Sequence, residues 1–468
     1  MKRIWIGVIA ALILLYPLMA WLMGFAIEKR FDAAIGEMRE KAPYAAVTEH
    51  HFRRGWYTSQ DDMTLEISRG AFVPVPGDAA APAAFQITIH SVVHHGPLCG
   101  WKCVGLAGAE SHIVVGAPLQ PVVAGFFGTL EPLLIRSRLG FFGGGSTVIS
   151  SPAFEDKALP DGAHAGWGGF DADLGYGARM DSYAMHITAP RAMYSSPDGK
   201  RFEMREAAFD ARSKRVLRTL YAGDSTVKIG RLAITSAGGA GTVTVDDVRS
   251  AASSRADNGY MSMSVKTGAG TIATGPLTLT GVHFDFTFRH LEIEALESLS
   301  VGIRQANGNP ALAPAARTAQ MLSVLRQQGA SLLAQRPELA VDQISFANAK
   351  GEAVLKGVVR LRDVTSADFA EGADAKAFIA KVDLDLDLTF DEALLQSLPG
   401  GTNGDKQLLS LSDQGLLTHD NGKFHTAIVF RHGQMTFDGK PFQPGVAPPS
   451  PPVSPPPPVS PPPAAPRP

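Results

Sequence analysis

The sequence predicts a β-rich α+β protein: an extended curved antiparallel sheet, or two β-rich lobes, with a few covering helices behind one N-terminal transmembrane helix. Many short runs alternate apolar and polar residues between glycines and prolines, which is typical of antiparallel strands with one buried face. The 468 residues include 48 Gly and 33 Pro, and only 19% are charged. This composition favours a turn-rich β protein over a soluble helical one.

An uncharged run at residues 4–27 follows Lys2 and Arg3. About 20 apolar residues are enough to cross a bilayer as a helix, and the run exceeds the apolar core of about 7 to 15 residues in cleaved signal peptides. We therefore expect an uncleaved single-pass anchor, with cleavage after Ala26 as the alternative. The basic N-terminus and the large domain that follows favour an orientation with the N-terminus inside and the domain outside the cytoplasm.

The composition divides the chain into four segments. Residues 1–27 are the predicted anchor, and residues 28–48 repeat apolar side chains at the spacing of a juxtamembrane helix. Residues 49–443 form the predicted β-rich domain. The proline-rich residues 444–468 predict a disordered tail, because such a composition has no capacity to form a core.

Within the domain, the clearest strands are predicted at residues 282–288 and 377–390. The best helix is predicted at residues 315–335, between Pro314 and Pro337. Shorter helices are predicted at residues 291–301 and 392–398, and a hairpin is predicted at the end of the domain.

Three aspartates, Asp383, Asp385 and Asp387, alternate with leucines in one predicted strand. Carboxylates spaced evenly along a strand do not converge on one cation, so the pattern predicts a solvated face rather than a calcium site.

Two cysteines, Cys99 and Cys103, are the only ones in the chain. Their proximity predicts a local disulfide formed in an oxidising compartment. Free thiols and a metal site remain alternatives, the latter because His90, His94 and His95 lie just upstream. No established zinc spacing is matched, so we assign no metal ligand.

The chain carries no Gly-x-Ser-x-Gly elbow, no phosphate loop and no His-Glu-x-x-His motif. We therefore predict no catalytic residue and no cofactor, and an enzyme is disfavoured. The formal net charge of −2 does not indicate nucleic acid as a partner.

Short motifs recur in a recognisable order: Arg54-Gly55-Trp56-Tyr57-Thr58-Ser59, His95-Gly96-Pro97-Leu98, and a closing hairpin at residues 417–441. With the predicted anchor, they resemble the YdgA-like family of bacterial envelope proteins, classed as a domain of unknown function, over about residues 1–443. In the closing hairpin the family usually has Asn-Gly where this chain has His432-Gly433 and Asp438-Gly439.

The resemblance implies a periplasmic protein anchored in the inner membrane of Gram-negative bacteria, with a homodimer left open and no known reaction. We expect structural roles for its motif positions, because glycine and proline set backbone geometry. These positions are Arg54, Gly55, Trp56, His95, Gly96 and Pro97.

The leading functional hypothesis is a non-catalytic binding or scaffold role in the cell envelope, with lipid or another envelope protein as the partner. Its basis is that alternating strands on an anchored domain can form an apolar groove. One alternative is an envelope hydrolase or metal-dependent enzyme using His90, His94 and His95, although alternation places His95 on the opposite strand face. The other is a dimeric structural or regulatory membrane protein, joined through a sheet edge or the juxtamembrane helix.

Overall fold

The computed structural model describes residues 2–41, 45–68, 84–101, 103–117, 120–159, 162–239, 241–308, 314–369, 374–398, 408 and 411–442. The predicted proline-rich tail at residues 444–468 lies outside this part of the chain.

A single antiparallel sheet dominates the described residues, with 22 strands and few helices. The strands are β1 Ala45–Arg54, β2 Thr58–Ser68, β3 Ala84–His95, β4 Ala107–Val115, β5 Leu133–Leu139, β6 Gly145–Ser151, β7 Phe154–Ala158, β8 His164–Trp167, β9 Phe170–Tyr176, β10 Ser182–Ser195, β11 Arg201–Arg215, β12 Tyr221–Thr235, β13 Thr242–Asp257, β14 Tyr260–Thr274, β15 Leu277–Glu292, β16 Glu338–Asn348, β17 Gly351–Leu361, β18 Val382–Asp391, β19 Thr418–Asp420, β20 Lys423–Arg431, β21 Gln434–Phe437 and β22 Lys440–Pro441. The α-helices are α1 Lys2–Lys41, α2 Gln120–Phe127, α3 Ile293–Gly308, α4 Pro314–Ala334, α5 Ala375–Ile379 and α6 Glu392–Ser397.

The sheet is open and mostly follows chain order. Strands β1 to β6 pair in sequence, and β9 then lies between β6 and β10. From β10 to β18 each strand again pairs with the next, and β20 to β22 complete the order. The β-rich antiparallel class with few helices is confirmed, and it takes the form of one sheet rather than two lobes.

One face of this sheet, which we call the apolar face, can be followed from β1 to β15 through directly paired residues, whose side chains share a side. One row of it reads Phe52, Asp61, Ser91, Ser111, Ile135, Ile149, Ala172, Ile187, Phe209, Val227, Ser250, Thr267 and Phe284. The neighbouring row reads Arg54, Ser59, Val93, Ala109, Ser137, Thr147, Leu174, Met185, Ala211, Ser225, Ala252, Val265 and Phe286.

The opposite face is charged. His186 Nδ1 lies 2.7 Å from Asp210 Oδ1, and Arg255 Nη2 lies 2.7 Å from Asp224 Oδ1. The aspartates of β18 lie among basic partners: Asp383 contacts Arg362 at 2.6 Å, Asp385 contacts Arg431 at 2.9 Å, and Asp387 contacts His425 at 2.9 Å.

Helices cover the apolar face in only a few places. Helix α1 packs on the N-terminal strands, where Ile27 forms a buried cluster with Val93, Leu106 and Ala107. Helices α3 and α4 bury a second cluster around Met261 and Leu291 at one end of β14 and β15. The central part of the sheet, between these clusters, exposes Phe284 to 46%.

The predicted anchor and most of the predicted juxtamembrane helix form one continuous helix, α1, which contains Pro17 and ends at Lys41. Residues 45–48, predicted as helix, are instead the start of strand β1. No helix among the described residues is both long enough and apolar enough to cross a bilayer, so the predicted transmembrane helix is not supported.

The prediction of one strand at residues 377–390 is wrong in its first part, which is the end of α5. Asp374 caps this helix, because its side chain accepts a hydrogen bond of 2.9 Å from the backbone N–H of Lys376. Helix α2 was not predicted from the sequence. The helices predicted at residues 315–335 and 291–301 correspond to α4 and α3, with α3 longer than expected.

Candidate functional site

The motif residue His95 lies at the end of β3, under α1, and is hydrogen-bonded to Ser59 of β2. Its Nε2 is 2.8 Å from Ser59 Oγ, and its Nδ1 is 3.3 Å from the carbonyl oxygen of Trp56. A carbonyl only accepts, so Nδ1 donates and Nε2 accepts the hydroxyl proton of Ser59. Burial lowers the pKa of His95, and backbone hydrogen bonds to Trp56 and Ala20 oppose this effect.

Small residues bring α1 close to this histidine. Ala20 is fully buried, and a Cβ placed on Gly24 would lie 2.7 Å from His95 Cε1. A Cβ on the next motif residue, Gly96, would collide with the carbonyl oxygen of Gly105. Glycine is therefore required on both sides of the contact between helix and sheet.

The Ser59–His95 pair has the components of a nucleophile, a base and an orienting acceptor. However, Ser59 and His95 are each only 1% exposed beneath α1, so no substrate reaches the hydroxyl. The geometry supports a structural link between β2, β3 and α1, rather than a catalytic dyad.

The other motif, Arg54-Gly55-Trp56, forms the turn between β1 and β2 and contacts α1. Arg54 Nη1 lies 2.6 Å from Glu28 Oε2, and its guanidinium lies 3.5 Å from the ring centre of Phe25. Trp56 is 62% exposed. The two motifs, far apart in sequence, thus contact the same stretch of α1.

The loop from β3 to β4 contains the two cysteines. The sulfur atoms of Cys99 and Cys103 are 2.10 Å apart, in a disulfide, and Cys99 is fully buried. The Gly96–Pro97 peptide bond is cis, and the Gly96 N–H donates to the Leu106 carbonyl oxygen at 2.7 Å.

The remaining histidines of this region do not join His95. His90 Nδ1 lies 2.7 Å from Asp62 Oδ1 on the charged face, and His94 lies beside Gly100. Within the described ranges, no three His, Cys, Asp or Glu side chains form a group able to hold a metal ion.

A buried polar row lies next to His95 and was not predicted from the sequence. Asp61 is 1% exposed and lies 2.7 Å from His50 Nε2, while the buried hydroxyls of Ser91 and Ser111 are 2.8 Å apart. Burial raises the pKa of Asp61, and the contact with His50 opposes this effect. Polar residues at alternate positions of an otherwise half-buried strand were the sequence pattern that could have indicated this row.

A cavity of about 590 Å³ lies between α1 and the apolar face. This volume is typical of small-molecule binding sites, which range from about 300 to 1,000 Å³. Most of its walls are apolar, and they include Ile27, Phe31, Val93, Ala107, Ala109 and Leu139.

Four polar side chains border the same cavity: Arg30, Ser137, Tyr176 and Arg179. Burial raises the pKa of the Tyr176 phenol, and the positive charge of Arg30 opposes this effect. Both arginines are exposed, so their guanidinium groups lie on the solvent side of the cavity.

Two further cavities lie on the central strands. A second cavity of about 660 Å³ also contacts Tyr176 and reaches Tyr183. A third, of about 260 Å³, contacts Tyr183, Met185 and Phe209. The third cavity lies on the apolar face, whereas the second is lined largely by side chains of the charged face, among them Arg212, Asp224 and Arg255.

The comparison with curated proteins produced no match, and neither did the comparison with solved structures. A family model described as a bacterial protein of unknown function (DUF945) matches residues 1–445, and the chain belongs to this family.

Proposed function

We propose that this protein is a non-catalytic lipid-binding protein of the bacterial cell envelope. The apolar part of the lipid lies in the cavity under α1 and extends along the apolar face. The observation that carries the proposal is the 590 Å³ cavity, with apolar walls and two arginines at its solvent side.

The chemistry of the walls selects the ligand class. Ile27, Val93 and Leu139 have no side-chain group that hydrogen-bonds a polar metabolite, whereas they favour a hydrocarbon chain through burial of apolar surface. Arg30 and Arg179 offer guanidinium donors, which suit a phosphate or carboxylate headgroup. An anionic amphiphile combines both requirements.

The proposed location is the periplasmic side of the inner membrane, with the uncharged start of α1 as anchor, the rest of α1 to Lys41 as juxtamembrane helix, the sheet from Ala45 as domain and residues 444–468 as tail. It is supported by the uncharged run at residues 4–27 and by the disulfide, which fits an oxidising compartment. Membership of the YdgA-like group stays a prediction, as do the hydrolase and dimer alternatives.

The test is native mass spectrometry of the full chain purified from membranes. The wild type is expected to carry a lipid mass that denaturation releases. Ala109→Phe fills the cavity and is expected to reduce the lipid-bound fraction at least several-fold. Ala251→Phe is the matched control, because Ala251 is exposed on the charged face.

Arg179→Glu provides a second variant that does not enter the core. It is expected to shift the bound lipids away from anionic species while leaving thermal unfolding unchanged. A wild type without lipid, or an Ala109→Phe variant that is folded and equally loaded, would overturn the proposal.

A further inference from the structure

Exposed aromatic side chains cluster at one end of the sheet, beside α1. Trp56 and Tyr57, in the turn between β1 and β2, are 62% and 48% exposed. The Trp56 ring lies 6.2 Å from the Trp21 ring, and the Tyr57 ring stacks 6.0 Å from the Tyr16 ring. The turn and the helix thus present their aromatic rings together.

Helix α1 is apolar on two sides in this region. Ala20, Gly24 and Ile27 face the sheet and are buried. On the other side, large apolar side chains are between 41% and 53% exposed: Leu15, Leu18, Met19, Leu22 and Phe25.

A third segment adds to the same end. Val104, in the β3–β4 loop directly after Cys103 of the disulfide, is 77% exposed. This loop lies against α1, because a Cβ on Gly96 would approach Met23 Sδ to 2.9 Å. We define the aromatic end as Tyr16, Trp21, Phe25, Trp56, Tyr57 and Val104.

We propose that the aromatic end inserts into the interfacial layer of a lipid bilayer and holds the sheet against the membrane. Trp and Tyr are enriched at that layer, where an apolar ring and a polar tip are both satisfied. Arg54 fits this position as well, since its guanidinium covers the Phe25 ring and contacts Glu28.

Continuity of the helix identifies a bilayer, rather than a protein, as the partner. The residues that precede the aromatic end on α1, 4–14, contain no charged residue. A docking surface for a soluble protein does not require an uncharged helical segment beside it. A membrane surface does fit such a segment, because the segment can continue into the bilayer.

The helix length explains why the sheet must lie so close to the bilayer. Among the α1 side chains that the structure describes, Ala20 is the first buried one, and Tyr16 stacks on the exposed Tyr57 of the turn, which leaves residues 4–19 for the hydrocarbon and its interface. These span about 24 Å at 1.5 Å per residue, somewhat less than the roughly 30 Å of a hydrocarbon core. Insertion of the aromatic end into the interface compensates for the difference.

This arrangement places the cavity near the membrane. Ile27, the first cavity residue of α1, lies about 10 Å along the helix from Ala20. The inference rests on the anchor of the proposed function and is independent of whether a lipid occupies the cavity.

The test uses the full chain, reconstituted in vesicles of phosphatidylcholine and phosphatidylglycerol. Tyr57→Cys is labelled with an environment-sensitive dye, with the disulfide kept oxidised. Ile234→Cys is the matched control, because Ile234 is 49% exposed on a central strand. The dye at position 57 is expected to emit several-fold more strongly and at shorter wavelength than the control, and to be quenched by lipid-attached nitroxide.

Equal emission and equal quenching at both positions would overturn the inference. A dye at position 57 that is shielded from water but not quenched by lipid would also overturn it, because a protein or a second copy would then cover this end. Loss of lipid in native mass spectrometry with quenching retained would refute the binding cavity alone.

Discussion

The N-terminal strands and the central strands share one apolar face, but they differ in what covers it. Under α1, Val93, Ser59 and Asp61 are each 1% exposed. On the central strands, Phe284 of the same face is 46% exposed. The alternating sequence pattern is the same in both regions, so full burial depends on the helix that reaches across the sheet.

The cover also determines how polar side chains behave. Beneath α1, Ser91 and Ser111 are buried and hydrogen-bond each other at 2.8 Å, as buried polar groups generally must. On the central face, Ser250 and Thr267 make a bond of the same length while only half-buried. Water supplies an alternative partner there, so the bond contributes less.

The largest expected difference in stability is between substitutions of a buried and of an exposed isoleucine. Ile27→Ala is expected to lower the free energy of unfolding by about 2–5 kcal/mol, because the removed methyl groups leave a cavity. Ile234→Ala, at the surface, is expected to cost within about 0.5 kcal/mol. Chemical denaturation of the full chain measures both, and equal losses would remove the distinction between the regions.

The buried serine pair sharpens the comparison. Ser91→Ala alone is expected to cost about 1–3 kcal/mol, because the Ser111 hydroxyl remains buried without its partner. Adding Ser111→Ala is expected to restore most of this loss. The same cycle at Ser250 and Thr267 is the control, and additive losses at Ser91 and Ser111 would contradict the argument.

His95 predicts a pH dependence of the covered region. Its folded-state pKa lies below the ordinary 6.5, so the unfolded chain binds the proton first as the pH falls. Stability is therefore complete above that value and declines below it. His95→Gln is expected to flatten the decline in melting temperature between about pH 7 and about pH 5. Parallel curves for variant and wild type would show that His95 does not contribute.

The smallest effect is expected on the charged face. Asp385→Ala removes ion pairs with Arg431 and Arg360, whose side chains are 58% and 49% exposed. Such pairs contribute about 0.2–1 kcal/mol, and high salt screens them. Denaturation at low and high salt measures the difference. A loss above about 2 kcal/mol would show that this face contributes as much as the covered one.

The sequence predicted much of the fold and little of the site. The alternation of Asp383, Asp385 and Asp387 correctly placed them on one face. Residues 377–379 were wrongly assigned to the strand, because the side chain of Asp374 caps a helix that includes them. The motifs singled out His95 and Gly96, but the contact of these residues with α1 could not be predicted from the sequence.

The cavity could not be predicted because its residues come from separate segments. Arg30 belongs to α1, Leu139 to β5, and Tyr176 to β9. No spacing along the chain relates them, and only the pairing of β6 with β9 brings the last two near each other.

The sequence by itself determined which residues share a strand face, because side chains alternate with a period of two and this is a local property of the backbone. It also determined the main helices and the membership of the family. Only the tertiary structure decided where the apolar face is covered. That outcome depends on contacts between distant residues, such as Ser59 with His95, and the packing of α1 on the sheet is encoded in no single segment.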